Sequence, residues 1–405
     1  MTALRFAPFG TTIFTEMTLL AQKHSAVNLA QGFPDFDGPA FIIEAADAAM
    51  RDGQNQYARM FGLPALNLAL ADSWRQATGT TIDPDRQVTV TSGCTEAIAA
   101  AMLGLVDPGD EVILFEPFYD SYRASVAMAG GVARFVTLRE PTGAPRDGLA
   151  APGAFWFDPD ELRGAFTDRT RLILVNTPHN PTGKVFTRAE LDLIGSLCRE
   201  HNVIALTDEV YENLTYEPEQ PHIRLATLEG MAERTLTLSS LGKTFSLTGW
   251  KVGWAIGSPE LSAAVRAAHQ FLTFATATPM QAGAAAALTR SGESKAAVAD
   301  LVSNLQARRE FLSAALQRLG FRVYPPAGAY FVLADYTTGP RGSTFSDDQE
   351  FCRRLTAQAG VAAIPPSVFY QNREHGRRLA RFAFCKREAT LREAVRRLEV
   401  WASLS

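Results

Sequence analysis

The stretch Ser239-Ser240-Leu241-Gly242-Lys243-Thr244-Phe245-Ser246-Leu247-Thr248-Gly249-Trp250-Lys251-Val252-Gly253 decides how the rest of the chain is read. It follows Thr235-Leu236-Thr237-Leu238, an apolar alternation that predicts a strand. Lys243 then sits between two small-residue turns, and Lys251 follows eight residues later. Glycine and serine let a backbone approach a ligand closely and offer N–H and hydroxyl donors. An amine held there suits imine formation with a carbonyl compound, and a second lysine suits a phosphate. Taken alone, the stretch reads first as solvated surface lysines.

Working outward, 88–90, Glu111–Glu116, 131–138, 172–176, 203–207, 236–239 and 252–255 are short apolar runs, with helical patterns over 97–105 and 188–201. Buried strands separated by helices predict an α/β fold: a mainly parallel sheet sandwiched by helices, with its ligand off the carboxyl ends of the strands. Beyond Ser258-Pro259 the pattern changes. Helices over 261–269, 280–289, 296–319, 347–360 and 390–404 accompany strands over 322–324, 329–333 and 379–384, which predicts a smaller α+β domain. Ahead of the first strand, helices are predicted over 11–24, 41–51 and 65–78, with loops at 27–36 and 55–64. A turn-rich stretch spans 141–152. The expected division is 1–45 as an N-terminal arm with part of the small domain, 46–285 as the large domain and 286–405 as the C-terminal small domain.

Composition narrows the function. At 405 residues, with 46% apolar and 20% charged residues, the chain suits a soluble protein of two domains. A net charge of −4 carries no footprint for nucleic acid or an acidic membrane surface. The cysteines at 94, 198, 352 and 385 form no CxxC pair, and His222 and His269 lack ligand spacing, so neither a metal site nor a disulfide framework is expected. Residues 1–10 lack a signal-type apolar region, and no run of 18 apolar residues occurs, which predicts a cytoplasmic protein.

Four further motifs stand at predicted strand ends or inside a strand. Gly93-Cys94-Thr95 opens a helix, where backbone N–H groups bind anions; taken alone it reads first as an ordinary βα turn. Asn176-Thr177-Pro178-His179-Asn180-Pro181-Thr182-Gly183 follows a strand, so Asn180 can serve a ligand or simply a tight turn. Asp208-Glu209-Val210-Tyr211 places a carboxylate at a strand end, suited to a pyridinium proton or to a helix N-cap. Arg381 lies inside an apolar strand and calls for an anionic partner, either a ligand carboxylate or a structural ion pair.

Together these motifs resemble the fold-type I, pyridoxal-phosphate-dependent aminotransferases of class I/II, close to the branch of kynurenine and glutamine transaminases and bacterial methionine aminotransferase. The carrying residues are Asn28-Leu29-Ala30-Gln31-Gly32-Phe33-Pro34-Asp35-Phe36, Asn55-Gln56-Tyr57, Asn176 to Pro181, Asp208 to Tyr211, Ser240 to Thr244, Thr248 to Gly253 and His269-Gln270-Phe271. The resemblance spans nearly the whole chain. It implies pyridoxal 5'-phosphate held by Lys243 as an imine, with Lys243 also shuttling the substrate Cα proton. Asp208 is implied to keep the pyridine nitrogen protonated, Tyr211 and Asn180 to bond the phenolic oxygen, and Tyr119 to stack on the ring. The phosphate contacts implied are Gly93, Cys94, Thr95, Ser240 and Lys251, with Tyr57 reaching in from a second subunit. Arg381, with Asn180 and the Gly32 backbone, is implied to take the substrate carboxylate.

The pocket departs from the branch at Phe14, where several relatives carry tryptophan, and at Thr95, where some kynurenine enzymes carry tyrosine. The resulting expectation is a homodimeric aminotransferase with shared active sites. It would pair a large neutral L-amino acid (methionine, glutamine, aromatic or kynurenine) with a 2-oxo acid by ping-pong transfer. No second arginine stands out as an anchor for a side-chain carboxylate, although Arg59 and Arg123 lie near relevant loops. The alternatives are a cysteine-S-conjugate or cystathionine β-lyase on the same fold, and a non-catalytic aminotransferase-like sensor. The sensor is disfavoured because the first motif begins near residue 11, ahead of which a DNA-binding module would have no room.

Overall fold

The computed structural model describes residues 2–141 and 148–404, so the middle of the stretch read as turn-rich at 141–152 lies outside the described residues. In chain order the strands are β1 (Val27–Asn28), β2 (Val88–Thr91), β3 (Glu111–Glu116), β4 (Val132–Thr137), β5 (Thr170–Asn176) and β6 (Ile204–Asp208). They continue with β7 (Thr235–Ser240), β8 (Gly253–Ile256), β9 (Arg322–Tyr324), β10 (Phe331–Asp335), β11 (Val361–Ala362) and β12 (Leu379–Ala383).

Seven strands build the central sheet in the order β2-β8-β7-β6-β5-β3-β4. Only β8 runs antiparallel to its neighbours. Every residue of β3 is buried, and its alternation explains why its apolar run is continuous. Val112 and Leu114 face the helices Cys94–Leu105 and Pro259–Leu272, while Ile113 and Phe115 face the helix Arg188–Glu200. That last helix starts where the Thr187 and Glu190 side chains each bond the other's backbone N–H, closing a capping box.

A second, antiparallel sheet has the order β12-β10-β9. The N-terminal segment joins it. β1 pairs in parallel with β11, and the Ala383 amide donates to the Leu29 carbonyl at 2.7 Å. Met17 and Leu29 thereby enter one core with Leu312, Phe351 and Trp401.

The structure departs from the sequence reading locally. Residues 27–28, read as loop, form β1 because the β11 edge supplies backbone partners more than 300 positions away. The helices Asp120–Ala129 and Pro159–Ala165 were not anticipated; the first buries only Tyr122, Ser125 and Val126. The helix expected over 347–360 is α-helical from Asp348 to Arg354 and then widens to a π turn over Leu355–Ala359. Among the described residues, no helix is long and apolar enough to cross a membrane.

Candidate active site

The carboxyl ends of β2, β5, β6 and β7 converge on a cavity of about 280 Å³. Phe14, Gly32, Gly93, Cys94, Thr95, Tyr119, Asn180, Asp208, Tyr211, Ser240, Lys243, Lys251 and Arg381 all line it. Tyr57 does not. The residue is 87% exposed and its ring stands edge-on to Phe274, with centroids 5.7 Å apart.

Asp208 lies at the floor, 4% exposed. Its carboxylate accepts from the Tyr122 hydroxyl at 2.7 Å, the Val210 amide at 3.3 Å and the Cys94 thiol at 3.6 Å. A turn rather than a helix follows Asp208, so its alternative reading as a helix N-cap is not what forms. None of these three partners is a cation. Burial pushes the Asp208 carboxyl up, against the lowering effect of the Tyr122 bond. A buried carboxylate in that state is stabilised by any cationic group that enters beside it.

Lys243 sits in the short helix Leu241–Thr244, directly after β7. Its ammonium lies 5.8 and 5.7 Å from the ring centroids of Tyr211 and Tyr330. Burial lowers its pKa, and Lys251 adds to the effect, which favours a neutral, nucleophilic amine. Tyr330 in turn donates to the Gly32 carbonyl at 2.6 Å, tying the N-terminal loop to the floor.

On one wall the backbone itself makes a cradle. Lys251 adopts a left-handed conformation (φ 54°), uncommon for a residue with a side chain. Gly93 also has positive φ (79°), and a Cβ there would lie 3.2 Å from the Lys251 ammonium. A Cβ on Gly253 would lie 2.5 Å from the Gly93 carbonyl carbon, so β8 packs on this turn with no room for a side chain. Glu96 braces the turn from behind, accepting from the Ser92 amide at 3.0 Å. His269 faces Glu96 at 3.0 Å through Nδ1 and the Met60 carbonyl at 2.8 Å through Nε2. Burial disfavours its charged form, but these two acceptors outweigh burial and raise its pKa.

Arg381, which also lines the cavity, is 1% exposed and packs over the Phe331 ring at 4.1 Å. Its Nη1 donates to the Asn180 side chain at 2.9 Å and its Nη2 to the Ala30 carbonyl at 2.9 Å. Nε is buried without a partner. The structural ion pair allowed by its sequence does not form: its bonded partners are an amide and a carbonyl. Burial lowers its pKa to about 10, which leaves it charged at neutral pH.

Asn176, which stands out in the sequence only as part of its motif, and Tyr122, which is not singled out there, also line the cavity. Asn176 pairs in register with Asp208, donates to the Asp208 carbonyl at 2.9 Å and accepts from the Asn180 amide at 2.7 Å. Tyr122 follows Tyr119 at helical i, i+3 spacing, a signal that an apolar-face count over 119–126 would have raised. Arg59 is held by Asp85 and the Gly62 carbonyl, and Arg123 lies over the Phe9 ring; neither lines the cavity. Among the described residues, no group of three His, Cys, Asp or Glu side chains is placed to hold a metal ion.

The arrangement fits one type of ligand. A buried carboxylate with no cation bonded to it, an anion cradle beside Lys251, an amine in the same cavity and an unpartnered guanidinium nitrogen match a protonated ring nitrogen, a phosphate, an aldehyde and a second, carboxylate-bearing molecule. These are the groups of pyridoxal 5'-phosphate and an amino acid.

Comparison with known proteins agrees with that fit. The family model for aminotransferase class I and II matches residues 24–398. The structure of N-succinyldiaminopimelate aminotransferase from Mycobacterium tuberculosis is similar with a TM-score of 0.92 and 47% identity, covering 99% of this chain and 100% of that one. Methionine aminotransferase of Escherichia coli is 40% identical, over 96% of this chain and 95% of its own length. Kynurenine–oxoglutarate transaminase 3 of Mus musculus is 39% identical, over 99% and 90% respectively.

Proposed function

The chain belongs to the class I and II aminotransferase family and is a transaminase, and from that premise we propose that it moves the amino group of a large, neutral L-amino acid to a 2-oxo acid. The family is pyridoxal-phosphate-dependent, and one observation carries the assignment of that cofactor to this cavity: Asp208 is buried without a cationic partner, on the same floor as Lys243. When bound, the cofactor supplies a sink for the electrons left as a proton leaves the substrate's Cα.

The chain's own residues do the rest. Lys243 Nζ would hold the cofactor's aldehyde carbon and would carry the Cα proton, a task suited to an amine of lowered pKa. Asp208 holds the proton on the ring nitrogen. Tyr211 and Asn180 bond the ring oxygen, and Tyr119 covers the ring face. Gly93, Cys94, Thr95, Ser240 and Lys251 hold the phosphate, and Tyr57 reaches the equivalent site of a second copy. The exposure of Tyr57 together with Phe271, 86% exposed, supports that homodimer. Arg381 takes the substrate carboxylate through its free Nε and the outer edge of its fork, helped by Asn180 and the Gly32 backbone. The unpaired cysteines support a reducing, cytoplasmic setting.

Phe14, Phe33, Ile98 and Phe331 supply apolar lining to the cavity. Its two cations besides Lys243 are already engaged, Lys251 with the phosphate and Arg381 with the α-carboxylate, which favours a neutral side chain. The relative from M. tuberculosis supports a second reading, an N-acylated diamino acid with a distal carboxylate. Recording the cofactor's absorbance while adding methionine, glutamine, phenylalanine, kynurenine and N-succinyldiaminopimelate in turn separates the two. Pyruvate release from a cysteine conjugate, measured beside transamination, tests the β-lyase. If the protein shows no cofactor band and Lys243→Ala matches wild type, the assignment is wrong.

A further inference from the structure

Tyr122 takes no part in the roles assigned so far, yet its hydroxyl makes the shortest contact to Asp208. It lies on the helix Asp120–Ala129, 86 positions before its acceptor, and is 2% exposed. A buried phenol needs a hydrogen-bond partner. Here the partner is the one carboxylate at the cavity floor. Cys94, at the start of the helix on the anion cradle, directs its thiol at the other carboxylate oxygen. Both groups remain protonated donors, since burial and the neighbouring Asp208 push the Tyr122 phenol and the Cys94 thiol well above their ordinary values. The Asn176 side chain fixes the Asp208 backbone, not its carboxylate. Beyond the local Val210 amide, orientation of the carboxylate therefore comes from Tyr122 and Cys94, far away in the chain.

We propose that Tyr122 is a positioning residue for the cofactor's ring nitrogen: its hydroxyl, with the Cys94 thiol as a weaker second donor, keeps Asp208 anionic and aimed. A donor to a carboxylate stabilises the charged form and lowers its basicity. The proton between Asp208 and the ring nitrogen then stays on the ring. Without that donor Asp208 becomes the better base and takes the proton, and the ring loses the charge that makes it an electron sink. The inference rests on the cofactor assignment above.

Tyr122→Phe removes the hydroxyl and keeps the ring. Apoprotein of wild type and variant is titrated with pyridoxal 5'-phosphate, and the pH dependence of the bound cofactor's absorption is recorded. Loss of one charge-assisted bond to a buried carboxylate is expected to weaken cofactor binding about 10- to 100-fold and to displace the absorption transition. In an Asp208→Asn background the same change should alter the dissociation constant by less than about twofold, because the group it acts on is gone. Equal losses in both backgrounds, or a variant that matches wild type in both readouts, overturn the proposal. If Tyr122→Phe does not fold, Cys94→Ala decides: weaker binding with a displaced transition supports it, and no change overturns it. A wild-type protein that takes up no cofactor refutes the functional assignment itself, whereas a loaded wild type matched by the variant refutes only this inference.

Discussion

Replacing Arg381 with lysine keeps the charge and removes the fork, so it isolates what the guanidinium geometry contributes. In the structure one arm is held by the Asn180 side chain and the other by the Ala30 carbonyl, both at 2.9 Å, while Nε remains free. An ammonium is a compact point charge and cannot reach both acceptors while meeting a carboxylate side-on. One buried acceptor left unsatisfied is expected to cost about 1–3 kcal/mol of stability, read as a lower urea midpoint. Loss of one or two charge-assisted bonds to the substrate carboxylate, at about 1.5–3 kcal/mol each, is expected to lower kcat/KM roughly 10²- to 10³-fold. Amino acid and 2-oxo acid both carry that carboxylate, so single-turnover assays of the two half-reactions should fall by similar factors. The cofactor dissociation constant should stay within about twofold, since Arg381 does not hold the cofactor. A primary amine with the same side chain and no carboxylate provides the control: wild type and variant should convert it at similar rates. If the amine loses as much as the amino acid, or if kcat/KM for the amino acid is unchanged, Arg381 is not the carboxylate anchor.

Gly253→Ala would place a Cβ 2.5 Å from the Gly93 carbonyl carbon and 2.7 Å from the Cys94 amide nitrogen, backbone atoms that cannot rotate aside. It should displace the anion cradle, costing about 1–3 kcal/mol in stability and weakening cofactor binding, both measurable by denaturation and titration. Lys184 and Glu190 form a fully buried ion pair at 2.7 Å beneath the Asn176–Gly183 loop. Lys184→Ala should cost about 3–5 kcal/mol by stranding the Glu190 charge, while Lys184→Met with Glu190→Leu should recover all but the capping bond to the Thr187 amide. Glu111 accepts from Arg134 at 2.8 Å, Thr167 at 2.7 Å and Arg169 at 2.7 Å; these contacts, led by the Arg134 bond, hold its pKa at about 2 against an ordinary 4.5. Because the folded-state value is the lower one, this stabilisation is present above the ordinary value and is lost as pH falls through about 2. The melting-temperature gap between wild type and Glu111→Gln should therefore be full at neutral pH and close towards pH 2.

The central sheet was legible because its signals are local. A continuous apolar run such as 111–116 predicts a strand buried on both faces wherever it lies, and the polar turns after β5, β6 and β7 mark the ligand side of any mainly parallel sheet. The same locality hid the helix Asp120–Ala129, whose buried face amounts to three residues, and β1, which has no strand signal of its own. Arg381 shows where local reading stops. From its strand alone a structural ion pair is the slightly favoured reading over a ligand contact. The structure decides, because its partners Asn180 and Ala30 lie 201 and 351 positions away and neither is charged.

By itself, then, the sequence determined the α/β class, the order of the central strands along the chain and which chemical groups stand at their ends, since periodicity and turn chemistry are properties of neighbouring residues. Only the tertiary structure decided that Asp208 has Tyr122 rather than a cation for its partner, that the Nε of Arg381 is left without one, and that Tyr57 does not line its own cavity. Those are contacts between segments far apart in the chain. Burial and the absence of a local partner, not residue type, determine what each group still needs.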